Sequence, residues 1–130
     1  MKRIILIFTV LFLSVGLAYG VDYEVIKKAG DYTVQVKIDR NPPAVGDNNM
    51  IIWLKDAAGK DVKGASMNVD YSKSTKKFWK SAKKYNSWAQ PHESNHHAVL
   101  AIPTQGSWDV TINIHHKGKS VSTEFRIDVK

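Results

Sequence analysis

The sequence predicts an all-β domain, an antiparallel sandwich of about seven strands, and three observations carry that expectation. Apolar and polar residues alternate through most of the chain beyond residue 20. Clusters of glycine, proline, asparagine and aspartate punctuate the alternating runs at short intervals. No cysteine is present, so neither a disulfide nor a thiolate metal site can stand in for a hydrophobic core. A period of two marks half-buried strands, and frequent punctuation limits them to sandwich length.

The first twenty residues stand apart from this pattern. Lys2 and Arg3 give a positive start, Ile4 to Leu13 form an almost unbroken apolar run, and Ala18-Tyr19-Gly20 closes the segment with small residues where a signal peptidase reads. This is the layout of a secretory signal peptide over 1–20, cleaved before Val21. The apolar stretch falls short of the roughly 20 residues of a membrane-spanning helix. An uncleaved N-terminal membrane anchor is the alternative. The mature domain is then 21–130, one domain with enough chain to build a single core. A cysteine-free exported domain fits the bacterial envelope, and a periplasmic or otherwise exported location is expected.

The formal charge is +7 for the whole chain and about +5 once Lys2 and Arg3 leave with the signal. Such basicity often indicates nucleic acid. Export excludes that partner and points to an anionic membrane surface or an acidic envelope protein.

Within the domain, strands are expected near 23–28, 32–38, 49–55, 65–71, 96–102, 107–115 and 120–129. Tyr32, Val34, Val36 and Ile38 alternate with Thr33, Gln35 and Lys37; Trp108, Val110, Ile112 and Ile114 repeat the pattern, as do Val121, Phe125, Ile127 and Val129. Ala29-Gly30-Asp31, Asn41-Pro42-Pro43, Ala58-Gly59-Lys60 and 103–106 supply turns. His116-Lys117-Gly118-Lys119 reads as a hairpin in which Gly118 takes positive φ. Seven short strands so spaced suggest an immunoglobulin-like arrangement, with Trp108, Val110, Ile112, Phe125 and Ile127 in its core.

One segment departs from the alternation. Lys73, Lys76, Lys77, Lys80, Lys83 and Lys84 recur at helical spacing, with Phe78, Ala82 and Tyr85 on the opposite side of a helical wheel. This predicts a short lysine-rich amphipathic helix near 73–86, with Ser72 or Ser74 as its N-cap. Two readings stand: the aromatics cap the sandwich beneath solvated lysines, or the lysines form a basic docking face.

Three stretches together resemble the YtkA-like family of exported bacterial domains. They are Pro43-Ala44-Val45-Gly46-Asp47-Asn48 with the strand Met50 to Leu54, the turn and re-entry from Lys55 to Ala65, and Gly106-Ser107-Trp108-Asp109-Val110-Thr111-Ile112. The resemblance spans roughly 43–129. It implies an immunoglobulin-like fold in the bacterial envelope and an association with metal, particularly copper. Where many family members have methionine-rich sequence, this chain has lysines after Tyr71-Ser72 and Thr104-Gln105 before Gly106. Only Met50 and Met67 remain in the mature domain, and Cu(I) sites need several sulfur ligands.

All five histidines fall in the last 40 residues: His92, His96, His97, His115 and His116. Imidazole suits copper, zinc and nickel, and it binds them only when neutral. If 96–102 pairs antiparallel with 107–115, matching apolar faces puts Ile102 opposite Trp108 and Asn95 opposite His115. His97 and His115 then become diagonal neighbours about 7–8 Å apart at Cα. A divalent-metal site from His97 and His115, with His92 or His96 assisting, is expected on that register; solvated histidines are the alternative. His92-Glu93-Ser94-Asn95-His96 also fits the H-E-x-x-H pattern of zinc proteases, which functions only on a helix. In an extended chain its histidines lie roughly 13 Å apart.

No phosphate loop or nucleophile elbow appears. Asp56 and Asp61 flank a turn, the usual place for aspartate. The expectation is therefore a binding module and no enzyme, accessory to metal (copper) handling in the envelope. Its only cofactor would be a copper, zinc or nickel ion. The alternative is a protein- or membrane-surface interaction domain without metal.

Overall fold

Alternation of buried and exposed side chains marks most of the strands. A computed structural model describes residues 22–74 and 83–130. It contains β1 (Tyr23–Ala29), β2 (Tyr32–Ile38), β3 (Gly46–Lys55), β4 (Ser66–Lys73), β5 (Lys84–His92), β6 (Asn95–Ile102), β7 (Gly106–His116) and β8 (Lys119–Val129). All pairings are antiparallel, in the order β1-β2-β3-β6-β5-β4-β7-β8. The meander β4-β5-β6 is followed by β7 returning beside β4, a Greek-key connection.

The succession folds on itself as a sandwich. One half is β1-β2-β3-β6 and the other β4-β7-β8; their inward faces share one core, to which Val34, Ile52 and Leu100 contribute from the first and Val69, Trp108, Ile112 and Ile127 from the second. The five residues expected in the core from β7 and β8 are all buried. Trp108 is also tethered, its indole N–H donating to the Thr104 carbonyl at 2.9 Å. Its ring lies 6.2 Å from Tyr71 and 5.8 Å from Tyr85.

β5 belongs to both halves. Lys84 to Ala89 pair with β4, and Gln90 to His92 pair with β6. As β5 leaves, the β6 edge opens, and side chains fill the gap. The Val99 N–H donates to Ser87 Oγ at 3.3 Å and the Ala101 N–H to Tyr71 Oη at 3.1 Å, which meets the requirement that backbone donors find partners.

The expected helix near 73–86 is corrected at its two ends. Lys73 ends β4, and Lys84 begins β5. Residues 75–82, with Lys76, Lys77 and Lys80, lie outside the described residues. Tyr85, Ser87 and Ala89 are more buried than Asn86 and Trp88 between them, so Tyr85 belongs to a period of two. Its ring stacks on Tyr71 across the β4–β5 pair, 5.5 Å between centroids at 17°. Cross-strand aromatic contact and ladder hydrogen bonds hold Tyr85 in the strand. The described residues therefore hold eight strands, the added one being β5, which overlaps the segment read as helix at Lys84 to Asn86.

The outer edges β1 and β8 meet without a ladder. Tyr23 Oη donates to the Arg126 carbonyl at 3.4 Å, and a Cβ on Gly30 would sit 3.0 Å from Val121 Cγ1. Buried Asn48 pins the preceding loop: its amide donates to the carbonyls of Ala44 and Gly46 and, across the pair, Leu100, while its oxygen accepts the Ala44 N–H. Residues 1–20, read as a signal peptide, lie outside the described residues; among those described, no helix is long and apolar enough to cross a membrane.

Candidate metal centre at the β5–β6 hairpin

β5 and β6 are joined by Glu93-Ser94, with Glu93 at φ 52°. The register pairs His92 with Asn95 and Gln90 with His97. His92 and His97 therefore occupy diagonal positions on the outer face. Their rings approach with centroids 4.7 Å apart and planes inclined by 31°. Both side chains are exposed. Two imidazoles so placed can turn nitrogen lone pairs toward one ion at about 2.0–2.1 Å.

Period two sends His96 the other way. It is 7% exposed and faces the core, where Nε2 donates to the Ala65 carbonyl at 3.2 Å. The other ring nitrogen, Nδ1, is buried and has no hydrogen-bond partner among the described residues; Asn95 Oδ1, beside it in the chain, is likewise buried and unpartnered there. His92 and His96 are on opposite faces of a hairpin, so the H-E-x-x-H pattern is not a helical zinc motif here.

The expected β6–β7 register is not formed. β6 pairs with β3 and β5, and β7 with β4 and β8. Matching apolar faces was an insufficient criterion, because every strand of a sandwich presents the same alternating pattern to the same core. His97 is thus on the outer face of one half and His115 on that of the other. His115 Nδ1 lies 2.8 Å from Ser120 Oγ, and His116 Nδ1 lies 2.8 Å from Tyr32 Oη. Among the described residues, no three His, Asp or Glu side chains converge as a metal-binding group. The structure brings together His92 and His97 alone of the four predicted ligands.

Thioether chemistry is closed off: Met50 and Met67 are both buried in the core. The donor set at the hairpin is nitrogen, with water to complete it, and this suits Cu(II), Zn(II) or Ni(II). Of the basic face, Lys73, Lys83 and Lys84 are described and exposed. They gather at one end of the β4–β5 pair, where Ser72 faces Lys84, and Lys83 Nζ stands 5.4 Å over the Tyr85 ring. Asp56 and Asp61 serve their turn: Asp56 Oδ1 accepts the N–H groups of Ala58 and Lys60, and Asp61 pairs with Lys55 at 2.8 Å.

No family model matches the chain, and no curated protein matches it. The YtkA-like resemblance therefore rests on its three motifs. Two solved structures share the fold. The soluble domain of PmoD from Methylocystis sp. aligns at TM-score 0.55 and 9% identity, covering 81% of this chain and 96% of that one. A DUF4426 family protein from Pseudomonas aeruginosa PAO1 aligns at TM-score 0.55 and 15% identity, covering 81% and 93%.

Proposed function

We propose that the chain is an exported, non-catalytic immunoglobulin-like binding module that takes Cu(II), Zn(II) or Ni(II) at His92 and His97. The observation that supports it most is the 4.7 Å approach of these two rings on an exposed hairpin. The 1–20 segment supports periplasmic or other export. The YtkA-like motifs support a place in copper handling, and the strand order β2-β3-β6 opposite β4-β7-β8 supports the immunoglobulin-like class. Two protein ligands leave half or more of the coordination sphere to water, so the ion is held for exchange rather than locked in place.

Calorimetric titration with Cu(II) tests this reading. The parent is expected to bind one ion with a Kd tighter than about 100 μM. His92→Ala and His97→Ala should each weaken binding at least about tenfold, while His115→Ala leaves it unchanged. A parent that binds no ion, or hairpin variants that bind as the parent does, would exclude the site.

The convergence of Lys73, Lys83 and Lys84 favours a second reading, a basic face for an anionic lipid surface. Its mark would be vesicle binding that weakens as salt rises, with charge reversal at these positions abolishing it.

A further inference from the structure

The outer face of the other half carries a different chemistry. β5, β4, β7 and β8 lie side by side there, and the register sets Trp88, Asn68, Asn113 and Ser122 in one row across the strands. The next row begins Asn86, Asp70 and Thr111. A shallow open depression of about 390 Å³ runs over this surface, with His115 and Ser120 at its far side. Its size is within the roughly 300–1,000 Å³ of small-ligand sites.

The polar groups are held in place by one another. The Asn86 amide donates to Asp70 Oδ1 at 2.7 Å. Asn113 Nδ2 donates to Asn68 Oδ1 at 2.9 Å and to Asp70 Oδ2 at 2.8 Å. Both carboxylate oxygens are thus engaged by neutral amides, which disfavours a bare cation. These bonds leave the Asn113 and Asn86 carbonyl oxygens as acceptors, and the Asn68 NH₂ as a donor, all on one preorganised surface. Across the β4–β5 pair from Asn68, Trp88 is 59% exposed, a large apolar ring standing in solvent.

We propose that this face binds a neutral oligosaccharide. A sugar presents hydroxyls that both donate and accept, matching a surface of amides and hydroxyls with little net charge. Its apolar C–H face matches an exposed indole ring, which gains by being covered. Asn68, Asn86 and Asn113 read the hydroxyls, and Trp88 stacks against the ring.

The test is a ¹H–¹⁵N NMR titration of the purified protein with two neutral probes, the tetramer of N-acetylglucosamine and maltotetraose. At least one is expected to bind with millimolar affinity or tighter, shifting the Trp88 indole and the side-chain amides of Asn68, Asn86 and Asn113 together. The probe that binds tells an N-acetylated envelope glycan from a plain glucan. Trp88→Ala, at an exposed position that leaves folding intact, should weaken binding at least about fivefold, with Trp88→Phe recovering part of it. His92→Ala should change nothing. The proposal is overturned if neither probe moves these resonances, or if Trp88→Ala binds as the parent does.

Discussion

The Tyr71 hydroxyl accepts the Ala101 N–H at 3.1 Å, across the gap left where β5 pairs with β4 before it crosses to β6. One phenol thereby serves two sheet halves, its ring in the core beside Trp108 and its oxygen on the far strand. Tyr71→Phe keeps the ring and removes the acceptor. A loss of about 0.5–1.5 kcal/mol is expected, read as a lower urea midpoint at unchanged slope. Faster amide exchange at Ala101 should accompany it.

Trp108 fills the space under Tyr71 and Tyr85 and is 2% exposed. Trp108→Ala should cost about 3–5 kcal/mol through the cavity it leaves, a large part of the roughly 5–15 kcal/mol that holds a domain together. Trp108→Phe should cost less, since it keeps an aromatic ring and loses chiefly the bond to Thr104. Melts of the two variants against the parent decide it; a Trp108→Ala protein as stable as the parent would remove this residue from the core.

At the hairpin, copper loading should give an electron paramagnetic resonance spectrum with nitrogen coupling from two imidazoles. Acidification should erase it, because a protonated ring has no lone pair to give. His97→Ala should reduce the pattern to coupling from one imidazole, that of His92. His115→Ala should keep it, since that side chain is on the other half of the sandwich.

Asp56 predicts an acid-sensitive turn. The Lys60 N–H chiefly, with that of Ala58, holds its carboxyl below the ordinary aspartate value. A depressed folded pKa means the contribution is complete at neutral pH, above the unfolded value of about 3.9, and fades as pH falls through the folded one. Asp56→Ala should therefore melt slightly below the parent at neutral pH. The difference should close in strong acid; one that stays constant would show that the charge plays no part.

The strands β2, β7 and β8 were legible because apolar and polar residues alternate along them, and β3 and β6 because each carries a short apolar run, Met50 to Leu54 and Ala98 to Ile102. The 117–118 turn was legible from Gly118, and Lys117 at φ 52° and Gly118 at 78° bear it out. β5 was not, since Lys84 and Tyr85 fit the helical spacing of the preceding lysines and only the short alternation Tyr85-Ser87-Ala89 marks the strand. That one misreading had a further effect. With β5 absent, β6 had no partner at His92, and His97 was assigned to β7 and His115. The directions of His96, inward, and His97, outward, survived because they depend only on period two. Partner choice depends on which strands share an edge, and local pattern does not encode it.

Tyr23 beside Arg126 and Gly30 against Val121 mean that β1 and β8 run in opposite directions along a common seam. Residue 22 and residue 130 are consequently brought to the same end of the molecule. A short linker joining them, with new termini opened in the exposed Lys117-Gly118 turn, should yield a circular permutant with the same core. In such a permutant β8 would lead directly into β1 across the edge between the two halves. The seam that now holds by side-chain contact alone would become a covalent corner of the fold.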